Sequence, residues 1–202
     1  MTLSLQHALQ GLGFADLVRF TPAQIAALCQ ATSLEEDALA LALLPQAQHK
    51  ARVPVSGFRV GALAMGNSGH WYLGANLEVE GLPLNSALHA EQAAIGHATL
   101  WGETGIRRVV VSASPCGHCR QFMQELNQEC LTLVLEDARL SLAALLPHAF
   151  GPADLGQSYG MLNGPAGTLS VDSRDPWFWL HWPRPTPAMP PTAITGPGWR
   201  CC

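Results

Sequence analysis

The chain predicts an α/β protein, a three-layer α/β/α sandwich around a mixed sheet, preceded by N-terminal helices. Three observations predict it. The apolar period changes near residue 50 from helical to strand-like. Beyond that point strand-like runs alternate with helical ones, the pattern of helices covering both faces of one sheet. Finally, 202 residues that are 48% apolar and 13% charged suffice for one sizeable core.

Residues 1–50 read as a helical segment. In "TPAQIAALCQA" Thr21 is placed to cap a helix with Pro22 in its first position, and in "SLEEDALALALL" Ser33 and Glu36 have capping-box spacing. Residues 51–156 read as the catalytic domain. "GFRVGALAM", with Phe58, and "HWYLGANLE", with Asn76 and Glu78 on one face, are strand-like and joined by the hairpin signal "GNSGH". A helix opened by His89 follows, then "IRRVVVSAS" as a strand, "GHCRQFMQELNQE" as a helix, "LTLVLE" as a strand and "LSLAALLPHAF" as a helix.

Residues 157–202 differ in character. They hold four of the six tryptophans and most of the prolines, with neither helical nor strand period. The expectation is an atypical Pro/Trp-rich tail, the remnant of a second domain. Back-translated with GC-rich codons and read one base out of frame, the chain from about Pro176 can spell an ordinary amphipathic-helix sequence, and a frameshifted gene end is the expectation.

Composition excludes several functions. A formal charge of −4, from 15 acidic and 11 basic residues, offers no basic surface for a nucleic-acid backbone. The start "MTLSLQHALQGLGF" lacks the features of a signal peptide, and no eighteen apolar residues are consecutive, so no membrane role and a cytoplasmic location are expected. The cysteine spacing suits a reducing compartment with a metal or redox pair.

Two short stretches carry chemistry. "LHAEQAAIGHA" sets His89 and Glu91 two apart, and such a pair converges only in the first turn of a helix. "SPCGHCRQF" sets Cys116 and Cys119 three apart, on one side of a helix start. If the two meet, one imidazole and two thiolates hold a tetrahedral zinc with its fourth position open, and Glu91 serves as proton shuttle without ligating. The order H-x-E, then P-C-x-x-C, is the signature of zinc deaminases. Two other readings stand beside it. "CGHC" at a strand-to-helix junction is also the pair of a thiol-disulfide oxidoreductase. A structural zinc site would need a fourth protein ligand, for which His118 is the candidate. Arg120 is expected to meet a thiolate or solvent. His7, His49, His70, His97, His148 and His181 have no ligand spacing and read as surface or capping residues.

From about Thr21 to Gly156 the chain resembles cytidine deaminases of the larger, homodimeric bacterial type. The resemblance runs through "EDALALALLP", "ARVPVSGFRVGA", "WYLGANLE", "LHAEQAAIGHA", "SPCGHCRQFMQELN" and "LPHAFGPADL". It implies one Zn2+ per subunit on His89, Cys116 and Cys119, Glu91 as catalytic residue, and hydrolytic deamination of cytidine and deoxycytidine. It assigns Phe58 to stack on the pyrimidine, Asn76 and Glu78 to the ribose hydroxyls, the backbone around Ala90 and Ser114 to the base edge, and Phe150 to a neighbouring subunit's site. The homodimeric type is implied by His89, where smaller tetrameric relatives carry cysteine, and by Gln92, where they carry arginine. The departure from the family's pattern is the tail, which stands where that type has a second deaminase-like domain.

Overall fold

The computed structural model describes residues 4–165; of the tail expected over 157–202, residues 166–202 lie outside the described residues. Described residues up to Leu162 form one unit. Helix α1 spans Leu5–Gly11, and α2, Pro22–Thr32, opens as the sequence predicts. Its Thr21 hydroxyl accepts from the Gln24 N–H at 3.3 Å while the Gln24 side-chain carbonyl accepts from the Thr21 N–H at 2.9 Å.

The second predicted capping box does not form. Ser33 ends α2 in the left-handed region at φ 57°, and Glu35 is the N-cap of α3, Glu36–His49. Only Ser33, Leu34 and Glu35 connect the two helices, so Ser33 is consumed in turning the chain and is not free to cap.

Six strands form one sheet in the order β1-β3-β2-β4-β5-β6. They are β1 Arg19–Phe20, β2 Gly61–Gly66, β3 Trp71–Ala75, β4 Ile106–Val111, β5 Thr132–Val134 and β6 Arg139–Ser141. Every pairing is antiparallel except β4 with β5, which α5, Gly117–Gln124, connects as a crossover. The sheet is therefore mixed, as expected.

Strand β2 is buried on both faces, and its alternation sorts the two cores. Leu63 and Met65 join Phe20, Leu28, Leu39 and Leu43 beneath α2 and α3, so helices from residues 1–50 supply one outer layer. Ala62 and Ala64 face Ala90, Ala94 and Ile95 of α4, Ala90–Leu100, with Val109, Val111 and Met123. Small side chains there let α4 lie close to the sheet. At Gly74 of β3 the approach is closest: a Cβ would lie 2.2 Å from the Ala94 nitrogen and 2.4 Å from the Ala90 carbonyl oxygen. Only glycine lets β3 support the first turns of α4 at this distance.

The predicted helix over "LSLAALLPHAF" is corrected. Residues 139–141 form edge strand β6 against β5, and only Leu142–Leu145 are helical, as α6. Leu146, preceding Pro147, leaves the helical region at φ −136° and ψ 70°, which ends the helix. Ion pairs fasten α3 to the sheet: Arg107 to Glu36 at 2.9 Å, Arg108 to Asp37 at 2.6 Å and Arg139 to Asp37 at 2.9 Å. The chain continues past Gly156 along the end of α5, where the Asn127 amide donates to the carbonyls of Gln157 and Tyr159. Among the described residues no helix is long and apolar enough to cross a membrane.

Candidate active site

The site is assembled where two helices begin on one side of the sheet. His89 is the N-cap of α4, with extended backbone at φ −82° and ψ 157°, and Glu91 lies in the first turn. This extended-to-helical change lets side chains two apart serve one cavity. Gln92 fixes it, its side-chain carbonyl accepting from the His89 N–H at 2.9 Å. Cys116 is the N-cap of α5, and its sulfur accepts from the Cys119 N–H at 3.5 Å.

The two motifs meet. His89 Nδ1 lies 3.4 Å from Cys116 Sγ and 3.2 Å from Cys119 Sγ, and the three donor atoms all lie within 4.8 Å of one another. Glu91 is buried beside them, 4% exposed, and Cys119 is its hydrogen-bond partner. Burial, then the Glu91 carboxylate, then Cys116, push the Cys119 thiol far above the ordinary range. A cation bound there would displace the proton, and one nitrogen with two sulfurs is a donor set that fits zinc. A histidine nitrogen set against both sulfurs is what a metal needs and a disulfide pair does not, so the geometry favours zinc over the redox reading of "CGHC".

His118 does not close the cluster. Its ring meets that of His89 edge-on, centroids 5.4 Å apart, and its Nε2 lies 3.3 Å from the Gln92 amide. Among the described residues no fourth histidine, cysteine or acid joins the three donors. Arg120, half-buried, meets no thiolate. Its Nε donates to the Pro115 carbonyl at 2.8 Å and its Nη1 to that of Leu145 at 2.9 Å, fastening the turn ahead of Cys116.

A cavity of about 270 Å³ opens beside the donors, lined by Phe58, Asn76, Glu78, Ala90, Glu91 and Ser114 among others. Phe58 is neither in a strand nor in the core. It stands in the loop before β2, 62% exposed. Asn76 and Glu78 follow the end of β3, and their polar groups hold that loop. Asn76 accepts from the Val60 N–H at 2.9 Å and donates to the Phe58 carbonyl at 2.9 Å. The Glu78 carboxylate accepts from the Ser56 hydroxyl, the Ser56 N–H at 3.0 Å and the Val55 N–H at 2.9 Å. The Ser56 hydroxyl above all, with these amides, holds Glu78 below the usual carboxylate range.

Phe150, also 62% exposed, does not line this cavity; its carbonyl accepts from the Gln121 amide at 2.8 Å. The structure thus gathers every expected site residue except Phe150. Sequence reasoning missed Ser56, Gly74 and the anchoring by Gln92. A signal for Ser56 existed in the turn residues "VSG", where Gly57 takes φ 68°.

The family described as the cytidine and deoxycytidylate deaminase zinc-binding region matches residues 34–134, half of the chain. The chain belongs to this family. It is 50% identical over 160 residues to a cytidine deaminase of Aeromonas salmonicida, covering 78% of this chain and 55% of that protein. Over 157 residues it is 52% identical to a cytidine deaminase of Klebsiella pneumoniae, covering 77% of this chain and 50% of that one. The chain spans about half the length of the curated relatives it matches. Among solved structures, a cytidine deaminase from Mycobacterium tuberculosis is similar with TM-score 0.52 and 29% identity, covering 56% of this chain and 95% of that one. One from Burkholderia pseudomallei gives 0.51 and 29%, with 55% and 97% covered.

The deaminase match encloses His89, Glu91, Cys116 and Cys119 together with all three polar groups of the Phe58 loop, Ser56, Asn76 and Glu78. Phe150 lies beyond it.

Proposed function

We propose that the chain catalyses zinc-dependent hydrolytic deamination of cytidine and deoxycytidine to uridine and deoxyuridine with release of ammonia, a step of pyrimidine salvage in the cytoplasm. The observation that carries this is one imidazole nitrogen and two sulfurs within 4.8 Å of one another, beside the buried Glu91, on the wall of a nucleoside-sized cavity. His89, Cys116 and Cys119 would hold the zinc. When bound, zinc supplies Lewis acidity that lets water act as nucleophile near neutral pH.

The chain's own residues do the rest. Glu91 accepts the proton released by water and passes it to a pyrimidine ring nitrogen, then to the departing amine. Its carboxylate is suited to this because backbone and hydroxyl donors do not occupy it. Phe58 stacks on the base, and the backbone at Ala90 and Ser114 meets the base edge. Asn76 and Glu78 take the ribose hydroxyls. The charge of Glu78 opposes a nearby 5'-phosphate, so a free nucleoside is favoured over a nucleotide. Phe150 serves a neighbouring subunit in a homodimer, with residues 51–156 as the catalytic domain.

The test measures zinc and ultraviolet loss of cytidine in one purified sample. Stoichiometric zinc with turnover is expected. Zinc without turnover would refute the activity, and reversible two-electron thiol oxidation without zinc would return the case to the oxidoreductase.

A further inference from the structure

A second cavity, about 390 Å³, lies at the opposite end of α4, where the helix stops at Trp101, and it shares no residue with the cavity at His89. An 11-residue helix is about 16 Å long, so the two are well separated. Arg19, Asn67, His70, Tyr72, Trp101 and Glu103 are in its wall.

Arg19 is the feature that asks for a ligand. Its guanidinium lies over two rings, 4.1 Å from the centroid of Trp101 and 5.9 Å from that of Tyr72. Pairing of β1 with β3 at Arg19 and Tyr72 fixes its backbone. Arg107, Arg108 and Arg139 all reach carboxylates, yet Arg19 has no ion pair among the described residues. Its Nε–H is buried without a hydrogen-bond partner. A buried donor on a cation is costly to leave unmatched.

Glu103 does not supply the match. It is 5% exposed and accepts from the Ser68 hydroxyl, the Ser68 N–H at 3.2 Å, the Tyr72 hydroxyl at 3.2 Å and the Thr104 N–H at 3.2 Å. Arg19 is linked to it only through the Tyr72 phenol. A fixed guanidinium with a free, buried N–H is a receptor for an oxygen anion. The Glu103 charge on the same wall disfavours a second negative group, so the ligand is anionic at one end only.

We propose that this cavity is a second ligand site, which binds a small molecule through one oxyanion, carboxylate or phosphate, on Arg19. The ring-held guanidinium spends little entropy on binding, because its position is set before the ligand arrives.

The test uses the full chain labelled with 15N at arginine, titrated with inorganic phosphate and separately with benzoate, at constant ionic strength. A saturable shift of the Arg19 Nε–H resonance is expected, matched by calorimetric binding at one site per chain. Phosphate winning points to phosphorylated metabolites, and benzoate winning to carboxylic acids. Arg19→Gln should weaken binding about tenfold or more. Trp101→Ala, which leaves the β1 pairing intact, should weaken it too and keeps the test open if Arg19→Gln fails to fold. Cytidine turnover at saturating nucleoside should change in neither. Failure of both probes to bind, or unchanged binding in either folded variant, overturns the proposal. Because binding is read directly, its failure is independent of whether the chain deaminates cytidine.

Discussion

Helix α4 has a buried carboxylate near each end, Glu91 in its first turn and Glu103 just past its last, 4% and 5% exposed. Their surroundings differ completely. Glu103 accepts from two hydroxyls and two backbone amides. Glu91 has the Cys119 thiol as its side-chain partner. Equal burial therefore means different things at the two ends. A carboxylate surrounded by donors is fixed as an anion and holds structure, whereas one left without them beside a nitrogen-and-sulfur cluster is free for the proton transfer proposed for it. The comparison separates chemistry from architecture by counting donors, which depth of burial alone does not do.

The largest effect should come from removing a donor at the Glu91 end. Cys119→Ala leaves one nitrogen and one sulfur, and bound zinc is expected to be lost on dialysis along with turnover. The stability that zinc contributes goes with it, about 4 kcal/mol where free zinc stands near 1,000 times its dissociation constant. Elemental analysis and thermal unfolding with and without zinc check both. Zinc retained at full occupancy in this variant would break the assignment of the cluster.

Glu91→Gln comes next and is narrower. The amide keeps shape and removes proton exchange, so zinc should remain while kcat falls about 10²–10⁴-fold, as expected for a lost general acid–base. Substantial turnover in a zinc-loaded variant would erase the distinction between the two carboxylates.

Much of this was legible in the sequence, for identifiable reasons. His89, Glu91, Cys116 and Cys119 were readable because a spacing of two converges only at a helix start and a spacing of three keeps two side chains on one side of a helix, and both helix starts formed there. The layers were readable from the alternation of long apolar strands and helices. Strands β1 and β6, two and three residues long, are too short to show a period of two. The apolar run "LSLAALL" reads as a helix because periodicity alone cannot tell a short strand followed by a turn of helix from one longer helix. Asn76 and Glu78 stood out as polar, but their hold on the Phe58 loop depends on partners 16–23 positions away, which no local pattern encodes.

Gly74→Ala tests how the Glu91 end is held rather than what it contains. The new methyl would meet backbone of Ala90 and Ala94, which cannot yield as a side chain can, and overpacking of this kind costs about 1–3 kcal/mol. The first turn of α4 should shift, so kcat should fall more than thermal stability alone explains. Zinc affinity measured by chelator competition should weaken as well, since His89 caps that turn. A variant that loses stability yet keeps full turnover and zinc affinity would show that Gly74 supports the core without setting the site.

The smallest effect belongs to the Glu103 end. Ser68→Ala removes one hydroxyl donor to Glu103, at a cost of about 1–3 kcal/mol for a hydrogen bond to a buried charge. Burial raises the Glu103 pKa, but the Ser68 hydroxyl and amide, the Tyr72 hydroxyl and the Thr104 amide outweigh it and hold the group below its usual range. A folded-state pKa below the unfolded one stabilises the fold at pH values above the unfolded pKa, about 4.3, and that stabilisation disappears as pH falls through the lowered folded value. The stability gap between wild type and Ser68→Ala should therefore be full at neutral pH and close on acidification, once Glu103 is protonated in both proteins. Thermal unfolding across pH 7 to 3 reads this directly. A gap that stays constant would mean that the serine acts through packing, and the donor count would no longer explain why two equally buried glutamates differ.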